Sequence, residues 1–412
     1  MRGYQSPSQV SQTLGCDVVT PHTHRRILPL VFVSTLTGIM GNSLVAPLIP
    51  DILDTFDRSD AAAGPLVAAA SLPGIVLAPV IGIAADRLGR RPVLATCLAI
   101  FGLAGILTAL APNFGLLLAT RLLMGVGSAG LVNLAVVLIG DHFDDERRTM
   151  WIGRNAAVLT VGVAVIPLFS GIAGQLVGWR LTTVGYTVGF AGAYLALRVL
   201  DGEAPREVTP LSDQLSGIGT ALRTPVIATT LLVGTLTFAI IFGVFLTAMP
   251  THLETRFDLS SGWRGVLIGV PAITAAATGF NLGRIRHVVD IRVVLVTSAA
   301  TWVLGMALIG ATGALAVLVI GALFYGVGEG ALIPNLQEVA VAAAPPEHRA
   351  AVVATWVGFA RLGQTSGPLL AGVLLSASGA PAVFWAGSIA SAAAMLVFVL
   401  GPIRRPRATV AT

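Results

Sequence analysis

The sequence predicts an all-α membrane protein with twelve transmembrane helices in two pseudo-symmetric six-helix halves. Apolar residues make up 55% of the 412-residue chain and charged residues only 11%, whereas a soluble domain carries about 25% charged residues. Twelve apolar runs can cross a bilayer, and the second six runs repeat features of the first six. We therefore predict that the lipid bilayer surrounds this chain.

A helix needs about 20 predominantly apolar residues to cross the hydrocarbon layer. Several runs are short or contain Gly and Pro, which membrane helices tolerate where neighbouring helices satisfy the freed backbone groups. The predicted helices, numbered 1 to 12 in chain order, cover residues 27–50, 65–83, 92–110, 114–140, 149–174, 181–199, 225–249, 266–282, 293–311, 315–341, 350–375 and 382–400. They define a tail (1–26), a first half (27–199), a linker (200–224), a second half (225–400) and a second tail (401–412).

Arginine placement predicts the orientation, because basic residues accumulate in the cytoplasmic segments of membrane proteins. The chain contains no lysine. With a cytoplasmic N-terminus, 17 arginines fall in cytoplasmic segments, and four (Arg58, Arg180, Arg256 and Arg264) fall in outer loops. We expect a multi-pass protein of the cell (inner or plasma) membrane with both termini cytoplasmic. The same bias explains the net charge of +5, so no nucleic-acid partner is expected.

An internal repeat supports the division into halves. Gly125 and Gly127 correspond to Gly326 and Gly328, 201 positions later. Helices 1 and 7 match at an offset of 200. Repeated matches at a nearly constant offset indicate a duplicated unit. The 201-residue offset also relates Gly162 to Gly363, Pro167 to Pro368 and Gly171 to Gly372.

The most specific motif is the loop between helices 2 and 3, which reads Gly82-Ile-Ala-Ala-Asp86-Arg87-Leu-Gly89-Arg90-Arg91-Pro92. Ionised groups are costly in hydrocarbon, so this loop must lie at a membrane face. Positive-inside arginines alone do not explain the spacing of Gly82, Asp86 and Gly89. The pattern resembles the signature loop of the major facilitator superfamily of transporters, and the resemblance covers nearly the whole chain.

That resemblance implies the major facilitator fold and a conformational latch. Asp86 would face the start of helix 11 near Ala350, where the helix dipole favours a carboxylate. Arg87 or Arg90 would pair with Asp141 at the inner end of helix 4. The repeat copy of the loop, at residues 279–286, lacks the acid, so we expect a latch in one half only. The predicted latch residues are Gly82, Asp86, Arg87, Gly89, Arg90 and Asp141.

Two further patterns resemble motifs of the superfamily. Arg121, followed by Gly125 and Gly127, resembles its second motif, whose arginine has been linked to proton transfer; an arginine that snorkels to the outer interface is the alternative. Helix 5 resembles the antiporter motif, although Ile166 and Ser170 replace two of its glycines, and we expect antiport rather than symport. Generic helix packing by small residues is the alternative. The glycines and prolines of this motif and its repeat copy are Gly153, Gly162, Pro167, Gly171, Gly363, Gly367, Pro368 and Gly372.

Glu329 is the one acid in the middle of a predicted helix. Burial away from water favours the protonated form of a carboxyl group, as a proton-exchange site requires. We predict proton coupling through Glu329, with Arg121 and Arg361. A structural ion pair between Glu329 and Arg361 is the alternative. Candidates for the substrate cavity are Asn42, Asn133, Thr237, Phe238 and Gln337.

The sequence therefore predicts a secondary active transporter that resembles the drug:proton antiporter family. It would export drugs or small amphiphilic compounds by alternating access, as a monomer, with the proton gradient as its energy source and no cofactor. A dedicated exporter or importer of one metabolite, such as a sugar, an amino acid or a natural product, is the alternative. An enzyme is not expected, because the six histidines fall in the tail or loops and no metal-ligand spacing or nucleotide-binding motif occurs.

Overall fold

The computed structural model describes residues 21–200, 219, 222–345 and 348–402, and these form helices joined by short turns. Most of the two predicted tails and of the predicted linker lies outside the described residues. Seven of the predicted helices begin within two residues of their expected positions; they are helices 2, 3, 4, 7, 9, 10 and 11.

The first half contains several helices that are broken within the membrane. Interrupted helices of this kind occur where side chains or neighbouring helices satisfy the freed backbone groups. The helices are Pro21–Ser43 and Ile49–Thr55 (helix 1), Ala63–Ala68 and Gly74–Leu88 (helix 2), Arg90–Leu110 (helix 3), Phe114–Ser128 and Leu131–His142 (helix 4), and Asp145–Thr183 with Val188–Val199 (helices 5 and 6).

The second half has a similar plan, with a π-helical segment inside helix 7. Its helices are Pro225–Ala239, Ile240–Ala248 and Met249–Phe257 (helix 7), Ser261–Gly269 and Pro271–Val288 (helix 8), Ile291–Ala311 (helix 9), Leu315–Ala342 (helix 10), and Arg349–Leu400 (helices 11 and 12).

Nine stretches of the described residues are long and apolar enough to cross a membrane. Two of them, Glu146–Val199 and Ala351–Leu400, have 54 and 50 residues, far more than the roughly 20 that one crossing needs. Each is interrupted by a glycine with positive φ, Gly178 (78°) or Gly379 (75°), and therefore holds two helices. Helix 2, broken at residues 69–73, is outside the nine stretches. The described residues thus fit the twelve helices that the sequence predicts.

The repeat extends into the backbone conformation. Gly178 and Gly379 lie 201 positions apart, and so do Asp57 and Asp258, which have left-handed φ values of 49° and 52°. Non-glycine residues adopt this conformation rarely, and Asp is among those that tolerate it. The duplication therefore fixes the turns of the fold as well as its helices.

Two predicted loop positions prove to be helical and buried. Helix 7 continues to Phe257, and helix 8 begins at Ser261, five residues earlier than predicted. The predictions that His252 and Arg264 lie in loops are therefore wrong, since both are 1% exposed. Both residues are polar, so the apolar pattern in the sequence leaves them out although the helices include them. The sequence also does not place beside Arg264 the acidic residues that neutralise it.

The halves meet through helices 2 and 11 and through helices 5 and 8. We call the membrane face where helices 2 and 3 join the Arg90 side. The opposite face, where helices 7 and 8 join, is the Arg264 side. Helix 10 packs against helices 7, 8 and 9 of its own half, and Leu131–His142 of helix 4 packs against helices 1, 3 and 5 of its own half. These two segments face each other across the junction.

Candidate functional site

Two pairs of glycines bring the halves together near the Arg264 side. A Cβ atom built on Gly64 would lie 3.2 Å from the Cα of Gly372 and 2.5 Å from the carbonyl oxygen of Pro368. A Cβ atom on Gly171 would lie 3.0 Å from the Cα of Gly265. Gly64 and Gly265 are 201 positions apart, as are Gly171 and Gly372, so each contact is the repeat copy of the other. Any side chain larger than hydrogen would force the helices apart.

An ion pair with a buried guanidinium crosses the same side. Arg264 of helix 8 donates through Nη2 to Asp51 Oδ2 of helix 1 at 2.5 Å, and through Nη1 to Glu254 Oε1 of helix 7 at 2.9 Å. Asp51 belongs to the first half, whereas Glu254 and Arg264 belong to the second. One bond therefore joins the halves and the other positions Arg264 within its own half. We call this group the Arg264 clasp.

Further acids surround the Arg264 clasp. Asp54 interacts electrostatically with Glu254 and with Asp60, which lies in the turn before helix 2. Partial burial and, to a smaller degree, the Asp54 carboxylate raise the pKa of Asp60. The Arg264 side therefore gathers several carboxylates around one fully buried guanidinium.

On the Arg90 side, no hydrogen bond, ion pair or glycine contact between described residues joins the two halves. Glycines of helices 2, 4, 5, 8 and 11 on this side have no atom within 4 Å of a built Cβ; they are Gly82, Gly140, Gly153, Gly283 and Gly358. A cavity of about 390 Å³ opens there beside helices 10 and 11. Its lining is mainly apolar and consists of Pro334, Gln337, Glu338, Val341, Ala342 and Arg349.

The predicted latch residues lie on the Arg90 side. Arg90 is buried and forms ion pairs with Asp141 and with Asp86, the latter at 3.3 Å. All three residues belong to the first half, so these pairs do not cross the junction in this conformation. Arg87 is exposed. Gly89 joins helices 2 and 3 with φ of 88°, a conformation that favours glycine.

The second half has its own ion pair at this face, between Arg286 of helix 8 and Glu338 of helix 10. The repeat copy of the loop lacks an acid, as predicted, but Glu338 supplies a carboxylate from another helix. Each half therefore has an arginine at the Arg90 side that pairs with an acid near one helix end. That helix is helix 4 in the first half and helix 10 in the second half.

Arg121 is fully buried and donates hydrogen bonds to two broken helices. Its guanidinium donates to the carbonyl oxygens of Gly41 (2.5 Å) and Leu66 (3.2 Å), and to Asn42 Oδ1 (2.7 Å). Gly41 and Leu66 lie in the last four residues of helical segments, where carbonyl groups lack helical partners. The hydroxyl of Tyr186 also donates to Gly41 O, at 2.9 Å. The snorkelling alternative is wrong, because Arg121 points into the first half.

Glu329 and Arg361 lie in the middle of helices 10 and 11 and are half-buried. Arg361 donates to Gln364 Oε1 (3.1 Å) and more weakly to the carbonyl oxygen of Ser128 (3.5 Å), across the junction. No ion pair links Glu329 with Arg361, nor either of them with another charged residue that the structure describes. The alternative of a structural Glu–Arg pair does not hold in this conformation.

The cavity candidates are dispersed. Asn42 is buried, and its amide nitrogen donates to Ser71 Oγ at 3.0 Å. Thr237 lines a void of about 10 Å³ inside the second half, and Phe238 packs edge-on against Trp356 of helix 11. Asn133 is exposed on helix 4, and Gln337 lines the cavity on the Arg90 side. Asn133 and Gln337 are therefore the candidates that face open space.

The antiporter-type motif mostly lies at helix contacts. A Cβ on Gly162 would lie 2.7 Å from side chains of helix 1, and one on Gly363 or Gly367 would meet the backbone of helix 7. The carbonyl oxygen of Pro167 lies against Gly265, and Gly171 and Gly372 form the glycine pairs described above. Gly153 is the exception and faces open space.

Sequence reasoning missed the Arg264 clasp and the glycines Gly64 and Gly265. The 201-residue offset connects Gly64 with Gly265, and this signal could have identified them. No comparable signal existed for the clasp, since Arg264 corresponds to Ala63 in the first half.

The fold and this arrangement define a polytopic membrane transporter, with two six-helix halves joined on one side by an ion pair and two glycine contacts. The sequence profile of the Major Facilitator Superfamily matches residues 31–291 and 265–412. The chain therefore belongs to the major facilitator superfamily and is a transporter rather than an enzyme.

Curated relatives include exporters and resistance proteins. The class D tetracycline resistance protein of Salmonella ordonez is 25% identical over 357 residues, which cover 84% of this chain and 89% of that protein. The bacillibactin exporter of Bacillus subtilis (strain 168) is 23% identical over 262 residues, 60% of this chain and 64% of that protein. The chain thus spans less than two thirds of the exporter. The solved inward-facing, unoccupied bacterial homologue of the human lysosomal transporter Spinster has a TM-score of 0.70 at 18% identity, over 92% of this chain and 95% of that one.

Proposed function

We propose that this chain is a proton-coupled antiporter that exports drugs or other small amphiphilic compounds by alternating access. The observation that carries the proposal is the asymmetry of the junction: an ion pair and two glycine contacts join the halves at the Arg264 side, and no such contact between described residues joins them at the Arg90 side. Such an arrangement is one end state of two halves that rock around a central site. With the arginine-rich Arg90 side in the cytoplasm, the structure is open to the cytoplasm.

The outward step requires that the Arg264 clasp release the first half. The Arg264–Asp51 bond breaks, the two glycine pairs separate, and the halves close on the Arg90 side. Asp86 then approaches the start of helix 11, where the helix dipole favours a carboxylate. Arg90 and Asp141 hold the latch loop in place for this contact.

Glu329 is the proposed proton-coupling residue. It has no ion pair or hydrogen bond among the described residues and lies in the middle of helix 10, beside the junction. A proton arriving from outside neutralises its carboxylate, and a substrate arriving from the cytoplasm binds after that proton has left. The proton gradient is the proposed energy source.

Similarity to tetracycline resistance proteins supports drug export. A second candidate is the export of a single natural product, which the similarity to the bacillibactin exporter favours. The two candidates differ in the breadth of the substrate range, so a panel of unrelated compounds separates them.

The test uses the full chain in proteoliposomes with an imposed pH gradient and a panel of fluorescent lipophilic cations and neutral antibiotics. The proposal expects several unrelated compounds to move against the proton flow. Glu329→Gln should abolish this coupled movement, whereas Glu146→Gln, which removes an exposed acid of the Arg90 side, is the matched control. Movement of one compound class alone would favour the second candidate, and undiminished pH-driven exchange by Glu329→Gln would exclude Glu329 as the coupling site.

Asp86→Asn tests the latch. We expect at least a tenfold loss of transport with normal membrane insertion, because a neutral amide is attracted less strongly to the helix dipole. Transport is measured in the proteoliposome assay, and insertion is measured by size-exclusion chromatography of the extracted protein. Arg87→Gln, at an exposed neighbour, is the control. Wild-type rates for Asp86→Asn would remove Asp86 from the mechanism.

A further inference from the structure

Glu329 and Arg361 lie at nearly the same depth on helices 10 and 11. Glu329 is 13 residues before Ala342, and Arg361 is 12 residues after Arg349; both of these helix ends lie on the Arg90 side. At a rise of 1.5 Å per residue, the two charged residues are about 20 and 18 Å from that side. Helices 10 and 11 both pack against helix 7, and packed helices have axes about 8–10 Å apart. Two opposite charges therefore lie at one depth on two helices that border the same third helix, without forming an ion pair.

Glu329 is on the face of helix 10 that points into the protein. Tyr325, Leu332 and Leu336 share this face at helical spacing and are 2% exposed or less. Tyr325 stacks on Phe245 of helix 7, with ring centroids 4.5 Å apart. The Glu329 side chain consequently points toward helix 7 and the junction rather than toward lipid, and it keeps partial access to open space.

Arg361 points across the junction from helix 11. A Cβ atom on Gly74 of helix 2 would lie 3.0 Å from Arg361 Cδ and 3.1 Å from Nε. The bond from Nη2 reaches Ser128 O, which is at the end of the first segment of helix 4. The guanidinium therefore lies between the two halves, at the point where helix 4 is broken.

The guanidinium of Arg361 has unused donors. Arginine carries five N–H donors, and among the described residues Arg361 uses one for Gln364 and one, at 3.5 Å, for Ser128. Both acceptors are neutral. By contrast, the guanidinium groups of Arg90, Arg264 and Arg286 pair with carboxylates, and Arg121 is fully enclosed by neutral acceptors.

A charge held away from bulk water is costly unless it has an opposite partner. Arg361 and Glu329 each lack such a partner within the described residues, yet they share one depth at the junction. A guanidinium binds carboxylates and phosphates through paired N–H donors, and a carboxylate binds an ammonium group. One ligand that carries both groups would satisfy both residues.

From this juxtaposition we infer that the substrate is a dipolar organic compound, with an oxyanion bound by Arg361 and an amine cation bound by Glu329. The inference rests on the proposed transport function and names its substrate class. It also gives a reason for exchange, because a proton on Glu329 removes the carboxylate that the amine needs. Tyr325, one turn earlier, is the titratable group whose electrostatic contact with Glu329 the structure records.

The test compares three related ligands on the full chain in lipid nanodiscs. The parent is a fluorescent arylpiperazine carboxylate, which carries both charges at neutral pH. Its methyl ester keeps only the cation, and its N-acetyl derivative keeps only the anion. Because a hydrogen bond to a charged group contributes about 1.5–3 kcal/mol, the parent should bind at least about tenfold more tightly than either derivative.

Two variants should show which residue recognises which charge of the parent ligand. Glu329→Gln should remove the preference for the parent over the N-acetyl derivative but keep the preference over the ester. Arg361→Gln should do the opposite. Arg284→Gln and Glu146→Gln, which remove the same charge types from exposed positions of the Arg90 side, should leave both preferences intact.

Equal binding of the three ligands to the wild type would overturn the inference, and this comparison does not depend on the folding of any variant. Loss of both preferences in each folded variant would also overturn it. Transport in proteoliposomes separates it from the proposed function. Coupled movement of lipophilic cations without preference for the parent rejects the dipolar substrate and keeps antiport. Preferential binding of the parent without pH-driven movement keeps the dipolar substrate and rejects antiport.

Discussion

Arg121 is the residue on which the broken helices of the first half depend. Its donors satisfy carbonyl groups at the ends of segments in helices 1 and 2, and Asn42 extends the network to Ser71. The motif of Arg121, Gly125 and Gly127 predicted an important arginine. It did not predict that the acceptors would be carbonyl oxygens, because their exposure results from breaks at residues 44–48 and 69–73 that pattern alone does not locate.

Arg121→Gln should destabilise the protein by at least about 3 kcal/mol, since several buried acceptors would lose their donor. Tyr186→Phe, which removes one bond to the same carbonyl oxygen, should cost about 1 kcal/mol. Thermal unfolding of the two purified variants in detergent measures the difference. Equal stability of the variants, with transport lost only in Arg121→Gln, would assign Arg121 to proton transfer instead.

Asp60 should make stability depend on pH. Burial and Asp54 raise its pKa above 3.8, so the folded state binds this proton more tightly than the unfolded state. The resulting stabilisation is complete below the unfolded pKa and is lost as the pH rises through the folded pKa. Asp60→Asn should therefore be more stable than the wild type at pH 7, and the difference should shrink toward pH 4. Thermal unfolding at both pH values checks this, with Asp57→Asn, at an exposed position, as control; a constant difference would contradict it.

At the scale of elements, the contacts of helix 5 explain its glycine pattern. Gly162 allows helix 1 to approach, and Gly171 allows helix 8 to approach. The spacing predicted close packing but not the partner helices, because one glycine face suits any neighbour. The corresponding contacts of helix 11, through Gly363, Gly367 and Gly372, follow the same plan in the second half.

Gly171→Ala should weaken closure at the Arg264 side by about 1–3 kcal/mol, because the added methyl group meets the backbone of helix 8. Gly153→Ala in the same helix meets no atom within 4 Å and should be neutral or slightly stabilising, since Ala favours helix more than Gly does. The check is the reactivity of a cysteine at Ser261, which contacts Gly171, toward a membrane-impermeant thiol reagent. Equal reactivity in both variants would show that the glycine pair does not control closure.

At the scale of the whole molecule, the two bonds of the Arg264 clasp can be tested separately, because one joins the halves and the other lies within the second half. Asp51→Asn breaks the bond between the halves, whereas Glu254→Gln breaks a bond inside the second half. Asp51→Asn should shift the population toward the form open at the Arg264 side, and Glu254→Gln should shift it less. Because the Arg264 guanidinium is buried and the Asp51 carboxylate is 41% exposed, the loss should lie between the roughly 1 kcal/mol of a surface pair and the roughly 3–5 kcal/mol of a fully buried pair.

Spin labels at Ser59 and Thr255, exposed positions in the two halves, report this shift as a longer distance by pulsed electron resonance. The unsubstituted clasp with both labels provides the reference. Identical distance distributions for Asp51→Asn and the reference would mean that the clasp does not hold the halves together.

The sequence left either Arg87 or Arg90 as the partner of Asp141, and by itself it determined the membrane environment, the duplicated twelve-helix plan and the superfamily. These properties follow from composition, local spacing and a repeat at constant offset, all of which are visible along one chain. Only the tertiary structure decided that Arg264 bonds Asp51, that Gly64 meets Gly372, and that Glu329 and Arg361 share a depth without pairing. Each of these relations joins residues far apart in sequence and depends on which way the halves are tilted. The tilt is set by the balance of contacts on the two sides of the junction, which no local pattern records.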